Sequence, residues 1–421
     1  MTMIAIKHQL MQFFSDVSLQ KIAFGCGFTQ RIRNIEPRTL LLSLIAALST
    51  GKITSIAQLH QKFNGLCPEA QQQVSYRPFY NQLRKPAFEE FVKIIVRFVM
   101  AQWVEKQVSI PKKLAQFQNV ILQDGSSFNV HPALAEVFPS RFKTTSAAIE
   151  YHMTMSLLSQ TPTGMAVTAD TASERAYLPV PATLRRQLLL ADAGYPDFDY
   201  FEQLSHFGAS FIVRGSNSLN SQIVAAHNGQ GKPLRKLAGK TLKEVTRRTN
   251  RSEVLDLCCR RKGYEFRIIR RWFAEKKRFC IWLTNLPPEE FTANDIMDIY
   301  RCRWQVELLF KELKSHTNWQ GFTPRKASLV TGLIWSSLLA LLVRRTMARR
   351  LFPEVALLKA AQNTDIWLRP IIENLLQRAW SETDFLLEKA RGYLFRNACK
   401  TQQRKSCKNK TLDACFERLN S

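Results

Sequence analysis

The stretch that most limits how this chain can fold lies between residues 117 and 213, where short apolar runs alternate with turn signals. Asn119-Val-Ile-Leu-Gln123 runs directly into Asp124-Gly125, and Gln187-Leu-Leu-Leu-Ala191 runs directly into Asp192. Runs this short, bounded by polar turn residues, read as buried strands. Tyr151 to Leu158 and Gly164 to Thr168 read as two more strands, with the turn residues Thr161-Pro162-Thr163-Gly164 between them. A helix over Phe198 to His206 then leads to a strand over Ser210 to Val213. Strands first, then strand alternating with helix, predict a mixed α/β sheet.

The flanks differ from this centre. Residues 1 to about 115 read as helical: Arg38 to Leu48 is a strong helical run stopped by Ser49, Thr50 and Gly51. Ser55 then caps a short helix from Ile56 to Phe63, before Asn64-Gly65. Two helices across a short Gly-containing turn suit a helix-turn-helix, and they equally suit an ordinary helical hairpin. Residues 214 to about 285 interrupt the core with alternating stretches such as Val254 to Cys258 and Tyr264 to Ile269, which argue for β structure. After a strand over Phe279 to Leu283 and the turn Asn285-Leu-Pro-Pro288, the chain is helical again.

Charge narrows the partners. The 421 residues carry a net +26, and excess charge of one sign costs stability by self-repulsion, so it marks a polyanionic partner. Nucleic acid leads and an acidic membrane surface comes second. Gly231 to Cys280 alone holds 17 Lys/Arg against five acids, a density beside Trp272 and Phe273 that favours a surface gripping a phosphate backbone over a merely solvated face. Arg391 to Ser421 has eight basic residues against two acids, and either a second nucleic-acid contact or a solvated tail accounts for it. The membrane reading is weak. Met1 to Leu10 has no signal-peptide pattern, and Leu329 to Val343, interrupted by Thr331, Ser336 and Ser337, is shorter than the roughly 20 residues of a span. It reads as a buried helix. Nine cysteines without a C-x-x-C pair argue for reduced, cytosolic thiols, without a disulfide framework or a zinc knuckle.

Carboxylates that follow buried strands suit metal-assisted phosphoryl transfer, in which two divalent ions sit roughly 3.5–4 Å apart on anionic oxygens. Asp124 and Asp192 both occupy such positions, although Asp-Gly is also a common turn dipeptide and a strand-terminal Asp is often only a cap. A single helix predicted over Ala293 to Ser315 adds a third acid. At about 100° per residue, Tyr300, Arg303, Glu307 and Lys314 share a stripe about 60° wide, separate from an apolar stripe of Cys302, Val306, Leu309 and Leu313 that can pack on the sheet. Geometry alone leaves two readings of that stripe: a functional face, or a salt-bridged surface with Glu307 paired to Arg303. Among other acids, Glu312 points away from the stripe, Asp170 and Glu174 follow a strand in supporting positions, and Asp197 and Asp199 lie close to Asp192. His316, alone near the helix end, reads as structural.

The spacing Tyr-x2-Arg-x3-Glu-x6-Lys, from Tyr300-Arg-Cys-Arg303-Trp-Gln-Val-Glu307 through Lys314, resembles the signature of the insertion-sequence-four family of bacterial DDE transposases. Asp192-Ala-Gly-Tyr195, Phe198-Asp-Tyr-Phe201 and Phe211-Ile-Val-Arg214 are similar to that family around its second acid, and Leu122-Gln-Asp124-Gly-Ser-Ser to its first. The resemblance covers residues 117 to 345. It implies a ribonuclease-H-like mixed sheet with a β-rich basic insertion between the second Asp and the Glu, flanked by helical N- and C-terminal regions. The expected division is residues 1–115 as a helical DNA-binding region, 116–345 as the catalytic domain interrupted by 214–285, and 346–421 as a helical basic C-terminal region.

By the same resemblance, Asp124, Asp192 and Glu307 would ligate two ions of Mg²⁺ or Mn²⁺. Tyr300, Arg303 and Lys314 would hold DNA phosphates, and Trp272 would stack on a base turned out of the helix. The implied activity cuts the ends of an insertion sequence and joins them to target DNA. Double-stranded terminal inverted repeats and target DNA are the implied partners, and a homodimer is expected because both ends must be paired. No membrane is involved, and the expected location is the cytoplasm at the bacterial nucleoid. The alternatives are a DNA-binding descendant without activity and a metal-dependent nuclease without strand transfer.

Overall fold

The computed structural model describes residues 2–50, 53–103, 110–216, 219–246, 253–317, 324–400 and 412–420. Gly51 of the first helix stop, residues 247–252 of the basic insertion, and residues 401–411 and Ser421 of the basic tail lie outside the described residues.

Among the described residues, nine strands form one mixed sheet in the order β3-β2-β1-β4-β5-β9-β8-β7-β6. They are β1 (Asn119–Asn129), β2 (Ala148–Ser156), β3 (Thr161–Ala169), β4 (Gln187–Ala191), β5 (Ser210–Gly215), β6 (Gln222–Asn228), β7 (Leu255–Arg261), β8 (Tyr264–Phe273) and β9 (Arg278–Thr284). β1, β4 and β5 run parallel at the centre, and every other pairing is antiparallel. The central strands are buried on both faces, which is why Val120 to Leu122 and Leu188 to Ala191 read as continuous apolar runs rather than alternating ones.

Helices cover both faces. Six precede the sheet: α1 (Met3–Phe13), α2 (Asp16–Gly25), α3 (Pro37–Ser49), α4 (Ile56–Leu66), α5 (Tyr76–Leu83) and α6 (Pro86–Gln102). Within it fall α7 (Phe198–His206) and α8 (Leu242–Thr246), and after it α9 (Ala293–Arg301) and α10 (Trp304–His316). The chain then forms α11 (Ala327–Leu351), α12 (Leu357–Gln362), α13 (Thr364–Trp367), α14 (Arg369–Leu376), α15 (Thr383–Asn397) and α16 (Leu412–Asn420). By length and apolarity alone α11 could cross a membrane, but it is buried from Leu329 to Leu351 among α6, α3 and α15. The described cysteines are all free thiols.

Four details depart from the sequence reading. β1 does not stop at Asp124 but continues to Asn129, because β2 pairs with it antiparallel along that whole length, from Asp124 opposite Met153 to Asn129 opposite Ala148. Thr161-Pro162-Thr163-Gly164 is not a turn but the start of β3. The reversal falls just before it, where Gln160 takes a φ of 51°, and Pro162 is tolerated because β3 is an edge strand that needs no second ladder.

The third departure is that the basic segment after residue 214 adds to the central sheet itself: β9 pairs with β5, and β8, β7 and β6 follow outward. Last, the single helix expected over Ala293 to Ser315 is two. It breaks at Cys302-Arg303, where N–H groups of residues 302, 303, 305 and 306 bond back only three residues. Such tight turns wind faster than an α-helix, so a uniform 100° projection does not hold across the break.

Candidate active site

The register of the three parallel strands builds the site. Gln123 lies opposite Ala191, and Ala191 opposite Val213. The next residue on each strand is therefore charged and at the same level: Asp124, Asp192 and Arg214. Just past the last paired residues, neighbouring parallel strands leave the edge of the sheet open to solvent, where ligands gather in α/β proteins.

α9 and α10 lie over this edge. Cys302, Val306, Leu309 and Leu313 are buried as the apolar stripe requires. Despite the break, Tyr300, Arg303 and Glu307 converge on the strand acids. The Tyr300 hydroxyl donates to Asp192 Oδ1 at 3.1 Å, Arg303 Nη1 donates to Asp124 Oδ2 at 2.9 Å, and Arg303 Nη2 donates to Glu307 Oε1. The pairing of Glu307 with Arg303 expected of a solvated surface is present, but it belongs to a half-buried network: the Arg303 side chain is 11% exposed and that of Asp124 is 16% exposed. Lys314 lies two turns beyond Glu307 on α10, half-buried, and among the described residues it makes no hydrogen bond or ion pair.

Crowding sets the electrostatics. Burial pushes the Asp124 carboxyl up to about 6; Arg303 and the Gly125 N–H oppose that rise, while Asp192 and Glu307 add to it. Burial likewise raises the Tyr300 phenol, so it stays protonated as a donor to Asp192. The three acids thus feel one another. Among the described residues no three such side chains are already closed on a metal-sized point; Arg303 stands between Asp124 and Glu307 as the local cation. Hard oxygen donors, mutual repulsion and a guanidinium standing in as counter-ion all fit a divalent cation at this edge.

A second set of carboxylates backs the first. Arg141 binds Glu150 at 2.6 Å and Asp170 at 2.9 Å, and reaches Glu174 at 3.9 Å. A Cβ on Gly125 would come within 2.7 Å of Glu150 Oε1, and one on Gly194 would collide with Glu174. Gly125, inside β1, is therefore there for close approach rather than for a turn, whereas Gly194 serves both, since the Tyr195 N–H closes a turn onto the Asp192 carbonyl. Burial pushes Glu150 up to about 7.

The other singled-out residues divide clearly. Trp272 is not at the triad. In the β8–β9 ladder, Ile269 and Trp282 share the face that meets Tyr300, whereas Arg270, Trp272, Phe279 and Ile281 share the opposite face. There Trp272 meets Phe279 edge to face and helps line a cavity of about 270 Å³ with Arg270, Lys277 and Arg278. Glu312 is fully buried between Arg344 and Arg345 and is structural, and the backbone carbonyl of His316 accepts from Arg344. Asp197 caps α7 through the Tyr200 N–H, and Asp199 is exposed in the first turn of that helix. Arg214, quoted in the sequence only as part of a motif, stacks on Trp282 at 4.9 Å and lies within electrostatic reach of Tyr300. Its signal was the same as that of the two Asp residues: a charged side chain directly after an apolar strand.

A mixed sheet with the central order 3-2-1-4-5, carboxylates at the carboxyl edge of its parallel strands and a third on a helix laid over that edge define the ribonuclease-H-like class. The family model for the transposase DDE domain matches residues 115–343, more than half of the chain, and the chain belongs to that family. It is 37% identical over 81 residues to the transposase for insertion sequence element IS421 of Escherichia coli, a match spanning 19% of this chain and 21% of that protein. It is 21% identical over 383 residues to the transposase for insertion sequence element IS1151 of Clostridium perfringens, covering 81% of this chain and 80% of that one. The solved synaptic complex of piggyBac transposase with hairpin DNA is similar at a TM-score of 0.47 and 9% identity, over 96% of this chain and 88% of that one.

Proposed function

We propose that this protein is a transposase that cleaves the ends of an insertion sequence and joins their 3′-OH groups to target DNA, with Asp124, Asp192 and Glu307 holding two divalent ions, Mg²⁺ or Mn²⁺. The observation that carries this reading is the register in which Asp124 and Asp192 directly follow the partnered residues Gln123 and Ala191, with Asp124 joined to Glu307 through Arg303 and Asp192 held by Tyr300. When bound, the ions would supply a nucleophile activated at neutral pH and a counter-charge for the leaving oxygen. Asp124, Asp192 and Glu307 hold the charge, Arg303 and Lys314 clamp phosphates near the cut, and the Tyr300 hydroxyl steadies the backbone beside it. The basic β8–β9 hairpin extends the strand-end edge, and its Trp272 cavity is of a size and chemistry to receive a displaced base between ring and guanidinium. The helical N-terminal region grips DNA, a dimer pairs the two ends, and the protein works in the cytoplasm at the nucleoid.

Within the N-terminal region α3 is buried on every side, so it cannot lie in a groove. α5 can. It buries Phe79 and Leu83 while exposing Tyr76, Arg77 and Asn81, has no acid, and is tied to α4 by Asn64, whose side chain bonds both the N–H and the C=O of Val74. We therefore read α4 and α5, rather than α3 and α4, as the helix pair that meets DNA.

The test is incubation with duplexes of the inverted repeats that flank the reading frame, Mg²⁺ and a target plasmid. Cleaved ends and joined product are expected, and Asp124→Asn, Asp192→Asn and Glu307→Gln should each abolish both while leaving DNA binding intact. Binding without cleavage would instead identify an inactive descendant, cleavage without joining a nuclease, and full cleavage by Glu307→Gln would overturn the site.

A further inference from the structure

Each acid of the triad has an oxygen committed to the 300–303 segment. Asp192 Oδ1 accepts from Tyr300 at 3.1 Å, Asp124 Oδ2 accepts from Arg303 at 2.9 Å, and Glu307 Oε1 accepts from the same guanidinium. The other Asp124 oxygen takes its own neighbour's N–H, from Gly125 at 3.1 Å. A Mg²⁺ ion needs carboxylate oxygens at about 2.0–2.1 Å with their lone pairs turned to it. An oxygen cannot offer that lone pair to an ion while a guanidinium N–H occupies it, and ion and guanidinium also repel at such range. Arg303 and a bridging cation are therefore competitors for the space between Asp124 and Glu307.

We propose that Arg303 is a place-holding cation: it occupies the metal position in the DNA-free protein and leaves for a DNA phosphate when DNA docks, so that metal loading and DNA binding are coupled through this one side chain. The inference rests on the metal-site reading above. Three features make the exchange workable. Phosphate, like carboxylate, fits the planar guanidinium fork, so DNA offers Arg303 an equivalent partner rather than water. Arg303 stands at the break between α9 and α10, where bonds back over three residues replace the regular ladder. Its Nε is buried and has no hydrogen-bond partner among the described residues, so its hydrogen bonds are made through its tips alone.

Coupling of this kind is reciprocal. If DNA draws Arg303 off the acids and raises metal affinity by some factor, bound metal raises DNA affinity by the same factor. The consequence is a nuclease centre that stays unloaded until a phosphate backbone is present.

The test reads metal binding rather than catalysis. Mn²⁺ binding to the full chain is titrated by electron spin resonance for the wild type, Arg303→Ala and Arg303→Gln, with and without a duplex of the flanking inverted repeat. Without DNA, both variants should bind Mn²⁺ about tenfold more tightly than the wild type, since charge-assisted hydrogen bonds no longer compete. The duplex should tighten Mn²⁺ binding by the wild type and leave the variants nearly unchanged. Should Arg303→Ala lower the melting temperature, Arg303→Gln, which keeps most of the side chain's bulk, decides. Asp124→Asn separates the two levels of the argument. If Mn²⁺ binds the wild type in a manner that Asp124→Asn weakens, yet Arg303→Gln leaves the affinity unchanged or lower, the place-holder is refuted and the metal site stands. If Asp124→Asn changes nothing, or no Mn²⁺ binds even with DNA, the metal-site reading falls and takes the place-holder with it.

Discussion

Glu312 offers the sharpest stability test, because it fixes the helix that carries Glu307 without taking part in the site. Its carboxylate, with a side chain 2% exposed, meets Arg344 Nη2 at 2.7 Å and Arg345 Nη2 at 2.7 Å. The two arginines do more than neutralise it. Arg344 also donates to the His316 carbonyl at the end of α10, and Arg345 to the Gln160 carbonyl in the β2–β3 reversal, so the triad rivets α10, α11 and the sheet together. Replacing Glu312 by Gln leaves two guanidinium charges buried with no counter-ion. Removing one partner of a buried pair costs about 3–5 kcal/mol. Because each arginine keeps a carbonyl and the amide oxygen keeps one bond, the lower end, about 3 kcal/mol, is expected. Urea unfolding followed by tryptophan fluorescence measures it as a fall in midpoint at unchanged slope. A loss under about 1 kcal/mol would refute the idea that the triad carries α10. Replacing all three residues by apolar ones of similar volume should recover part of the loss, since the stranded charges go too, but not the bonds to Gln160 and His316.

Three further outcomes are expected. With the Asp124 carboxyl pushed up to about 6 in the fold, the folded state binds that proton more tightly than the unfolded chain does. Its stabilising contribution is therefore complete below about pH 4 and is lost as pH rises through 6. The urea midpoint in chelator should fall between pH 5 and 7 by less in Asp124→Asn than in the wild type, the remainder coming from Glu150, pushed up to about 7. An equal fall in both would contradict the assignment. Gly332→Ala, on α11, sets a Cβ 2.6 Å from Cε1 of the buried Phe88 ring on α6, so a loss of about 1–3 kcal/mol by thermal unfolding is expected, and a neutral substitution would mean that this packing is looser than described. Arg77→Ala and Asn81→Ala, both exposed on α5, should weaken binding of an end duplex about tenfold in a mobility-shift titration without lowering the melting temperature, whereas unchanged binding would remove α5 from the DNA-binding surface.

Much of the site was legible because its signals are local. An apolar strand followed at once by Asp needs only a few residues to be seen, and it singled out Asp124 and Asp192, which stand just beyond the last paired residues of the β1–β4 ladder. The helical spacing of Tyr300, Arg303 and Glu307 survived the break between α9 and α10 because the tightening spans a single turn, too short to carry any of the three off the face that meets the sheet. Trp272 could not be assigned a side from sequence. A strand residue's face depends on which partner it pairs with, and that register is set by β9, several residues downstream.

Local periodicity and charge placement thus determined that the chain is α/β, that two acids directly follow apolar strand runs and a third lies on a helix, and that the segment after β5 is basic and β-rich, while the resemblance grouped the three acids. Tertiary pairing decided the rest. It extended β1 past Asp124, merged the insertion into the same sheet, buried α3 while leaving one face of α5 exposed, and brought Arg303 to a carboxylate far away in sequence. The division has a physical cause. Apolar pattern and turn chemistry are written within a few neighbouring residues, whereas ladders and ion pairs join groups separated by as many as 377 positions, and only the folded chain selects among them.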